Sequence, residues 1–442
     1  MQKAFFILIG LLFLNAHSQE DTAISLNINV DKGLSYAHLS SMGMDSTYIY
    51  SKVDSIITNG IKNKAFPGAQ VLVAKNSSIV FHNSYGYHTY DSIQAVTNDD
   101  IYDLASVTKI AGPLLAIMKL VDAGKLNLDV PFSTYWIPWK RIKDKKDITL
   151  REILAHQAGL TPYIVFLNKV FKKNGKLKRR FVRNKPDSRH MNKAYDHLFV
   201  KNNFNRKMYR IINKSKVTDE KKYIYSGLAF LIFPKLIEQM TGEPYENYLT
   251  QHFYNPIGAT TLGFRPKTKH FPNKIVPTEL DTVYRHTLTQ GWVHDENASL
   301  LGGISGNAGL FGTATDLAKL MQMYQNYGVF NGHRFISEAT LKEFIKVQYP
   351  DNENRRGLGF DKPLLDNAEL TLADAYPAPE VSKQSFGHSG FTGTFVWADP
   401  ENQMVFIFLS NRVYPTRENR NLYNLNIRGA LQQVFYKASI TH

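Results

Sequence analysis

The chain has 442 residues, no cysteine and a formal net charge of +15. This length can bury a sizeable core, either as one large domain or as two intermingled subdomains. Because hydrophobic residues make up 43% of the sequence, the chain is expected to be folded rather than disordered. The absence of cysteine excludes a disulfide framework, thiolate chemistry and a zinc–thiolate site.

Residues 1–18 have the pattern of a signal peptide. Lys3 provides a positive start, residues 4–14 form an apolar run too short to span a bilayer comfortably, and residues 16–18 offer a small-x-small cleavage site. We therefore predict an exported protein, periplasmic or secreted, that is not transmembrane after cleavage; an uncleaved anchor is the alternative. Residues 19–47 are mostly polar and predict an N-terminal arm with little function of its own.

The two ends of the remaining chain predict parts of one sheet. Apolar positions at helical spacing over residues 44–63 predict a first helix, and residues 69–74 and 78–83 are strand-like runs joined by a short polar turn. Residues 395–411 have the pattern of a second hairpin, and residues 419–437 that of a closing helix. We predict an α/β (α+β) fold: an antiparallel sheet built from both chain ends, flanked by helices, with a mainly helical second lobe and a cleft between them.

A helix expected after the first hairpin carries Ser106 and Lys109. Positions three apart lie on one face of a helix, so the amine can reach the hydroxyl. An amine kept neutral by burial or by nearby cations can accept the serine proton. The alternative is an N-cap serine with a solvated lysine, but the apolar run at residues 114–121 would bury this helix. Gly and Pro at residues 112–113 predict a kink directly after the pair.

Residues 168–222 hold 19 Lys and Arg but only 4 Asp and Glu, so this segment accounts for the whole net positive charge. Three interpretations stay open. The segment is a solvated, loosely helical insertion, or a lid or wall near the cleft that attracts an anionic substrate, wall polymer or lipid headgroup, or a nucleic-acid-binding surface. The last is disfavoured because no recognised motif accompanies the charge and the chain is predicted to be exported. An anionic component of the cell envelope is the candidate partner.

Three other segments carry side chains that could take part in catalysis or in metal binding. Tyr225 follows the basic segment, and one interpretation is a packed core tyrosine. His156 is interpreted as a structural loop histidine. Residues 294–296, His-Asp-Glu, could suggest a metal site, but no second cluster supports one. We therefore predict neither a metal nor a cofactor.

Residues 101–109, Ile-Tyr-Asp-Leu-Ala-Ser-Val-Thr-Lys, resemble the nucleophile motif of the serine β-lactamase and penicillin-binding-protein superfamily. The sequence looks closest to the class C-like branch, which includes esterases and D-Ala-D-Ala peptidases. It is also similar to the serine-hydrolase module that some Bacteroidetes proteins carry fused behind a family 3 glycosidase. The resemblance implies a hydrolase domain at residues 48–440, interrupted by the basic insertion at residues 168–222.

The resemblance extends to a second motif. In the class C-like branch this motif is Tyr-x-Asn, and its tyrosine acts with the lysine in proton transfer. By resemblance, Tyr225 takes that role beside Lys109, because a phenolic oxygen beside a lysine ammonium can serve as a base or relay. Gly227 departs from the pattern because it lacks the asparagine side chain, which weakens the expectation of efficient β-lactam hydrolysis.

The third motif is expected at residues 385–394, where His388-Ser389-Gly390 align with the Lys-Thr-Gly strand of the superfamily. Gly390 would let the strand edge approach the substrate. By resemblance, the backbone N–H of Phe391 completes an oxyanion hole with that of the nucleophile. Because His388 replaces the lysine, recognition of a substrate carboxylate is less certain.

These motifs together imply acyl transfer through a covalent serine ester. The expected substrate is a peptidoglycan-type peptide with a D-Ala-D-Ala-like amide, or a small ester. The rival function is a non-catalytic penicillin-binding-like sensor or cell-envelope binding protein that uses the basic segment as its contact surface. Gly227 and His388 are the residues that keep this rival open.

Overall fold

The computed structural model describes residues 34–218, 220–268 and 274–438. The predicted signal peptide and the first part of the predicted arm lie outside the described residues. The described end of the arm belongs to the fold, because Ser35–Tyr36 pairs in parallel with the strand that begins at Ser78. Leu34, Leu39 and Met44 are buried there.

A six-stranded sheet confirms that both chain ends build one layer. Its strand order is β1-β3-β2-β6-β5-β4, and all pairings except β1 with β3 are antiparallel. The strands are β1 Ser35–Tyr36, β2 Gly68–Lys75, β3 Ser78–Gly86, β4 Phe386–Ser389, β5 Phe395–Asp399 and β6 Met404–Ser410. The two ends meet where β2 pairs with β6, for example at Leu72 opposite Ile407.

The sheet is covered on both faces, which explains why β2 is apolar at almost every position. Successive side chains of a strand point to opposite faces. Leu72 and Ala74 accordingly belong to a large core with the central helices, while Val71 and Val73 belong to a second core with the first and last helices. The mixed α/β fold with a flanked sheet is therefore confirmed.

Thirteen α-helices lie in the described part of the chain. They are α1 Ser46–Lys62, α2 Thr108–Ala111, α3 Pro113–Asp122, α4 Leu150–Leu154, α5 Leu167–Val170, α6 Phe204–Asn213, α7 Leu228–Thr241, α8 Tyr245–Leu249, α9 Glu296–Leu300, α10 Ala314–Gln325, α11 Glu338–Ile345, α12 Asn421–Asn424 and α13 Ile427–Lys437. Across residues 34–218, 220–268 and 274–438, no helix has the length and apolar character needed to cross a membrane.

Seven shorter strand segments lie outside both the six-stranded sheet and the basic segment in the described part of the chain. One three-stranded sheet joins Gly263–Phe264 and Tyr102–Asp103 to Leu310–Gly312. Two small pairs consist of Leu280–Asp281 with Thr287–Leu288 and of Val329–Phe330 with His333–Arg334. The strand at Tyr102–Asp103 leads directly into the predicted nucleophile turn.

The predicted kink after Lys109 is a break between two helices. Helix α2 ends at Ala111, Gly112 has φ −124° and ψ −101°, and Pro113 occupies the first turn of α3. Proline is tolerated there because its missing N–H would have no helical partner. The hydroxyls of Tyr324 and Tyr254 donate to the carbonyls of Ile110 and Ala111 at 2.6 and 2.7 Å. Buried side chains therefore supply hydrogen bonds to backbone carbonyls at the end of α2.

The basic segment is folded differently from the loosely helical insertion considered above. It contains a three-stranded antiparallel sheet of Val182–Arg183, Asn192–Tyr195 and Leu198–Val200, followed by α6. Apolar side chains such as Val182 and Met208 are buried in the main core, which anchors the segment. The loosely helical interpretation was therefore wrong for residues 182–200, where short strands occur among the charges.

Candidate active site

Ser106 lies in a tight turn that directly precedes α2. The turn, Ala105–Val107, is a 3-10 helix, and Ala105 has a positive φ of 46°. The Asp103 carboxylate fixes this geometry, because it accepts the Ala105 N–H at 2.9 Å and the His294 N–H at 2.6 Å. A residue with a side chain rarely adopts a positive φ, so surrounding contacts must hold the turn in place.

Lys109 contacts Ser106, as the spacing of the two residues predicts. Its buried Nζ donates to Ser106 Oγ at 2.9 Å and to the carbonyl of Asn307 at 2.9 Å. Asn307 in turn donates through Nδ2 to Asp295 at 3.1 Å. The glycine-rich segment around Asn307 therefore holds the lysine in reach of the serine, where a neutral amine can accept its proton.

Tyr225 lies on the other side of Lys109, with the Nζ 5.5 Å from its ring centroid. The His156 ring packs behind Tyr225, with centroids 4.4 Å apart. His156 Nδ1 also accepts the Ser226 N–H at 3.2 Å, and its carbonyl accepts the Ile224 N–H at 2.9 Å. His156 thus holds the backbone on both sides of Tyr225, which is a positioning role.

Two buried imidazoles near Tyr225 are uncharged at neutral pH. Burial, followed by the charges of Arg356 and Lys109, lowers the pKa of His156 well below its usual value. The same causes lower the pKa of His388 to about 3, against an opposing effect of Asp361. His388 Nδ1 lies 2.7 Å from the carbonyl of Ser389. His388 therefore does not reproduce the positive charge of a lysine.

Arg356 and Asp361 form a buried ion pair that the sequence did not single out. Arg356 Nη1 lies 3.1 Å from Asp361 Oδ1, and its Cζ lies 5.7 Å from the Tyr225 ring centroid. Burial would raise the pKa of Asp361, but Arg356 and Arg355 outweigh it and hold that pKa at about 2. No sequence motif marks this pair. Its importance comes from its position beside Tyr225, which lies more than a hundred residues earlier in the chain.

The third motif contacts the nucleophile turn through its backbone and its threonines. Strand β4 ends at Ser389, and a Cβ on Gly390 would lie 2.6 Å from the carbonyl of Leu104. The hydroxyls of Thr392 and Thr394 donate to the carbonyls of Asp103 and Leu104 at 2.7 and 3.1 Å. Both threonines lie within the third motif as predicted at residues 385–394, but the sequence analysis assigned neither of them a role.

A cavity of about 630 Å³ brings several of the predicted residues together: Ser106, Lys109, Tyr225, Gly227 and Phe391. The Phe391 side chain is 45% exposed, and Arg412 supports it from behind, with Cζ 4.3 Å from the ring centroid. His388, Ser389 and Gly390 do not line this cavity but form the strand edge beside it.

The His-Asp-Glu run at residues 294–296 is occupied by protein contacts. His294 Nε2 lies 2.9 Å from Glu279, Asp295 caps α9, and Glu296 pairs with Arg417 at 2.8 Å. Within the described ranges, no group of three or more His, Asp or Glu side chains is arranged to hold a metal ion.

The chain resembles known proteins in its sequence and in its fold. A profile of the family described as "Beta-lactamase" matches residues 53–429. A protein of Salmonella enteritidis PT4 (strain P125109), named "Putative D-alanyl-D-alanine carboxypeptidase", is 31% identical over 431 residues, covering 91% of this chain and 92% of that protein.

Three solved structures resemble the fold at 16–18% identity. EstCE1, a hydrolase with promiscuous acyltransferase activity, has a TM-score of 0.61 at 18% identity, covering 87% of this chain and 98% of that one. A penicillin-binding-protein homologue from Caulobacter crescentus has a TM-score of 0.58 at 16% identity, covering 87% and 97%. A family VIII carboxylesterase has a TM-score of 0.58 at 18% identity, covering 87% and 97%.

Proposed function

Because the chain belongs to the beta-lactamase family and is a serine hydrolase, we propose that it works through a covalent acyl-enzyme on Ser106. The observation that carries this proposal is the 2.9 Å contact between Lys109 Nζ and Ser106 Oγ, inside a cavity that Tyr225 also lines. A nucleophile within hydrogen-bond reach of a base is the arrangement that serine acylation needs.

The proposed reaction has two halves. Lys109, acting with Tyr225, removes the Ser106 proton as Oγ attacks the substrate carbonyl carbon. The backbone N–H groups of Ser106 and Phe391 stabilise the oxyanion, and Tyr225 or Lys109 protonates the leaving group as the carbon–leaving-group bond breaks. Water then attacks the ester carbonyl, which releases the acid and restores the serine hydroxyl.

The proposed substrate is a peptidoglycan-type peptide with a D-Ala-D-Ala-like amide, or a small ester. The name of the Salmonella relative supports the peptide, and the names of the hydrolase and carboxylesterase neighbours support the ester. The proposed location is the periplasm or the extracellular space, which rests on the signal-peptide pattern of residues 1–18.

Intact-mass spectrometry tests the proposal directly. The protein is treated with a fluorophosphonate and, separately, with a penicillin; we expect one adduct per chain, mapping to Ser106. Ser106→Ala and Lys109→Ala should lose the adduct, whereas Lys125→Ala, an exposed lysine just beyond α3, should keep it. A well-folded wild-type protein that forms no adduct with either reagent would favour the non-catalytic sensor or envelope-binding function.

The basic segment supports a second role, the binding of an anionic envelope component. Lys172, Lys176, Arg179 and Lys185 line a concave surface of about 830 Å³ and, within the described residues, have no carboxylate within ion-pair distance. Clustered uncompensated cations attract polyanions and anionic headgroups in a salt-dependent way. We expect the protein to sediment with phosphatidylglycerol vesicles but not with phosphatidylcholine vesicles. A Lys172→Glu/Lys176→Glu variant should lose this binding.

A further inference from the structure

Large apolar side chains are exposed around the mouth of the Ser106 cavity. Tyr163 is 46% exposed, Val165 47%, Phe391 45% and Val283 58%, and all four line the cavity. Leu167, directly before the basic segment, and Phe171, within it, continue the same wall. Exposed apolar surface concentrated around a few polar groups is the usual character of a ligand site.

The cations of the cavity are already engaged. Lys109 and Arg417 are the only Lys or Arg among its lining residues in the described chain. Lys109 contacts Ser106 and a backbone carbonyl. Arg417 Nε lies 2.9 Å from both carboxylate oxygens of Glu279, and Nη2 lies 2.8 Å from Glu296.

A substrate carboxylate would therefore meet an unfavourable environment at this end of the cavity. It would approach Arg417 beside Glu279 and Glu296, with Asp295 in the same lining. Like charges at close range repel, and the repulsion grows as water is excluded. The uncharged His388 lies outside the cavity and offers no compensating cation.

We propose that the cavity binds an apolar, uncharged acyl group, so that the preferred substrates are esters or amides of medium-length apolar acids rather than of acids whose acyl chain carries a second, free carboxylate. This inference rests on the proposed acyl-enzyme at Ser106. The acyl group is the part assigned to the apolar walls because it stays bonded to Oγ between the two half-reactions, while the leaving group departs. The wall of Tyr163, Val165 and Phe171 can thus hold it during both steps.

A series of p-nitrophenyl esters from acetate to octanoate tests the inference. Acylation forms the Oγ–carbonyl bond and releases p-nitrophenolate, and water then releases the fatty acid. Each added methylene that enters the apolar cavity should raise kcat/KM by up to about fourfold. A second comparison uses mono-p-nitrophenyl adipate against the hexanoate, which have the same chain length but differ in a terminal carboxylate. The adipate should have a kcat/KM at least about tenfold lower.

Two variants locate the effect. Val165→Asn makes one cavity wall polar and should reduce the ratio of octanoate to acetate kcat/KM by about threefold to tenfold. Ile93→Asn is the matched control, because Ile93 is 84% exposed and does not line the cavity; its ratio should equal that of the wild type. Fluorophosphonate labelling of Ser106 is measured on every protein.

The outcomes separate this inference from the proposed function. A flat chain-length profile, or equal rates for adipate and hexanoate, in protein whose Ser106 is labelled would overturn the acyl preference alone. A Val165→Asn variant that is labelled but keeps the wild-type ratio would also overturn it. Protein in which Ser106 is not labelled would overturn the acyl-enzyme and the preference together.

Discussion

Gly390 packs against Leu104 so closely that only a hydrogen fits between the edge strand and the nucleophile turn. A Cβ at Gly390 would lie 2.6 Å from the Leu104 carbonyl and 3.3 Å from the Ala105 Cβ. The Gly390 carbonyl also accepts from the buried Arg428 Nη2 at 3.0 Å. The position of Ser106, two residues after Leu104, is therefore tied to the third motif by direct contact.

Gly390→Ala should damage both stability and activity. The added methyl group collides with the Thr394 hydroxyl and with the Leu104 carbonyl, so it must displace the Thr394 side chain and either the strand edge or the turn. Such overpacking costs about 1–3 kcal/mol of the free energy of unfolding. Because the turn carries Ser106, fluorophosphonate labelling should slow by at least about tenfold. Urea denaturation and labelling rates measure the two effects. Gly227→Ala is the stability control, since a Cβ there meets no atom within 4 Å; equal behaviour of the two variants would contradict the packing argument.

Tyr225→Phe removes the phenolic oxygen and keeps the ring that packs on His156. If Tyr225 relays the proton, esterase kcat should fall by about 10²- to 10⁴-fold while the free energy of unfolding changes by less than about 1 kcal/mol. Tyr223→Phe is the matched control, because that tyrosine also contacts His156 but does not line the cavity. A Tyr225→Phe enzyme with near-wild-type kcat would show that Lys109 acts without the tyrosine.

His388 should make the protein less stable as pH falls. Its pKa is about 3 in the folded state because burial, Arg356 and Lys109 disfavour the charged form, despite Asp361. In the unfolded chain an ordinary histidine binds a proton near pH 6.5. Between these values the unfolded state holds more protons, so stability from this residue is present at high pH and is lost as pH drops below about 6.5.

His388→Asn therefore should flatten the pH dependence of unfolding. The wild type should lose about 2 kcal/mol through this residue between pH 7.5 and pH 5, and the variant should not. Asparagine keeps an N–H that can donate to the Ser389 carbonyl, the contact that His388 Nδ1 makes. Urea denaturation at the two pH values gives the free energy of unfolding of each protein. If this free energy changes equally with pH in the wild type and the variant, the His388 imidazole is charged in the folded protein.

The sheet could be predicted because its signals are local and strong. Residues 69–74 and 395–411 show apolar runs with turns of the right length, and the Ser106–Lys109 spacing fixes a contact within one helical turn. The resemblance to the serine β-lactamase and penicillin-binding-protein superfamily, made on three short motifs, is confirmed by the family match over residues 53–429. The class C-like branch and the bounds of the domain stay predictions.

The remaining features could not be predicted because they depend on distant parts of the chain. Thr394 donates to Leu104 across 290 residues, and no local pattern encodes that bond. The charge of His388 depends on burial and on Arg356, which lies in another loop. The strands of the basic segment are two to four residues long, too short for alternation to be distinguished from chance among so many charges.

Gly227→Asn tests whether the amide missing from the second motif limits reaction with β-lactams. Gly227 lines the cavity beside Ser106 and Lys109, it has an ordinary φ of −88°, and a Cβ there meets no atom within 4 Å. The first atom of an asparagine side chain therefore displaces no neighbour, and because Gly227 lines the cavity the substitution adds an amide at the cavity wall. One added hydrogen bond to the reacting substrate corresponds to about tenfold in rate.

The expected result is faster acylation by penicillin in Gly227→Asn, by about tenfold, followed by intact mass over time. Gly227→Ala separates the amide from the loss of backbone freedom, and it should acylate at or below the wild-type rate. If both variants acylate at the same rate, the amide contributes nothing at this position and the departure from Tyr-x-Asn does not limit the reaction with β-lactams. If only the asparagine variant reacts faster, the second motif of this chain has the backbone position that the family's motif requires, and only the asparagine side chain is missing.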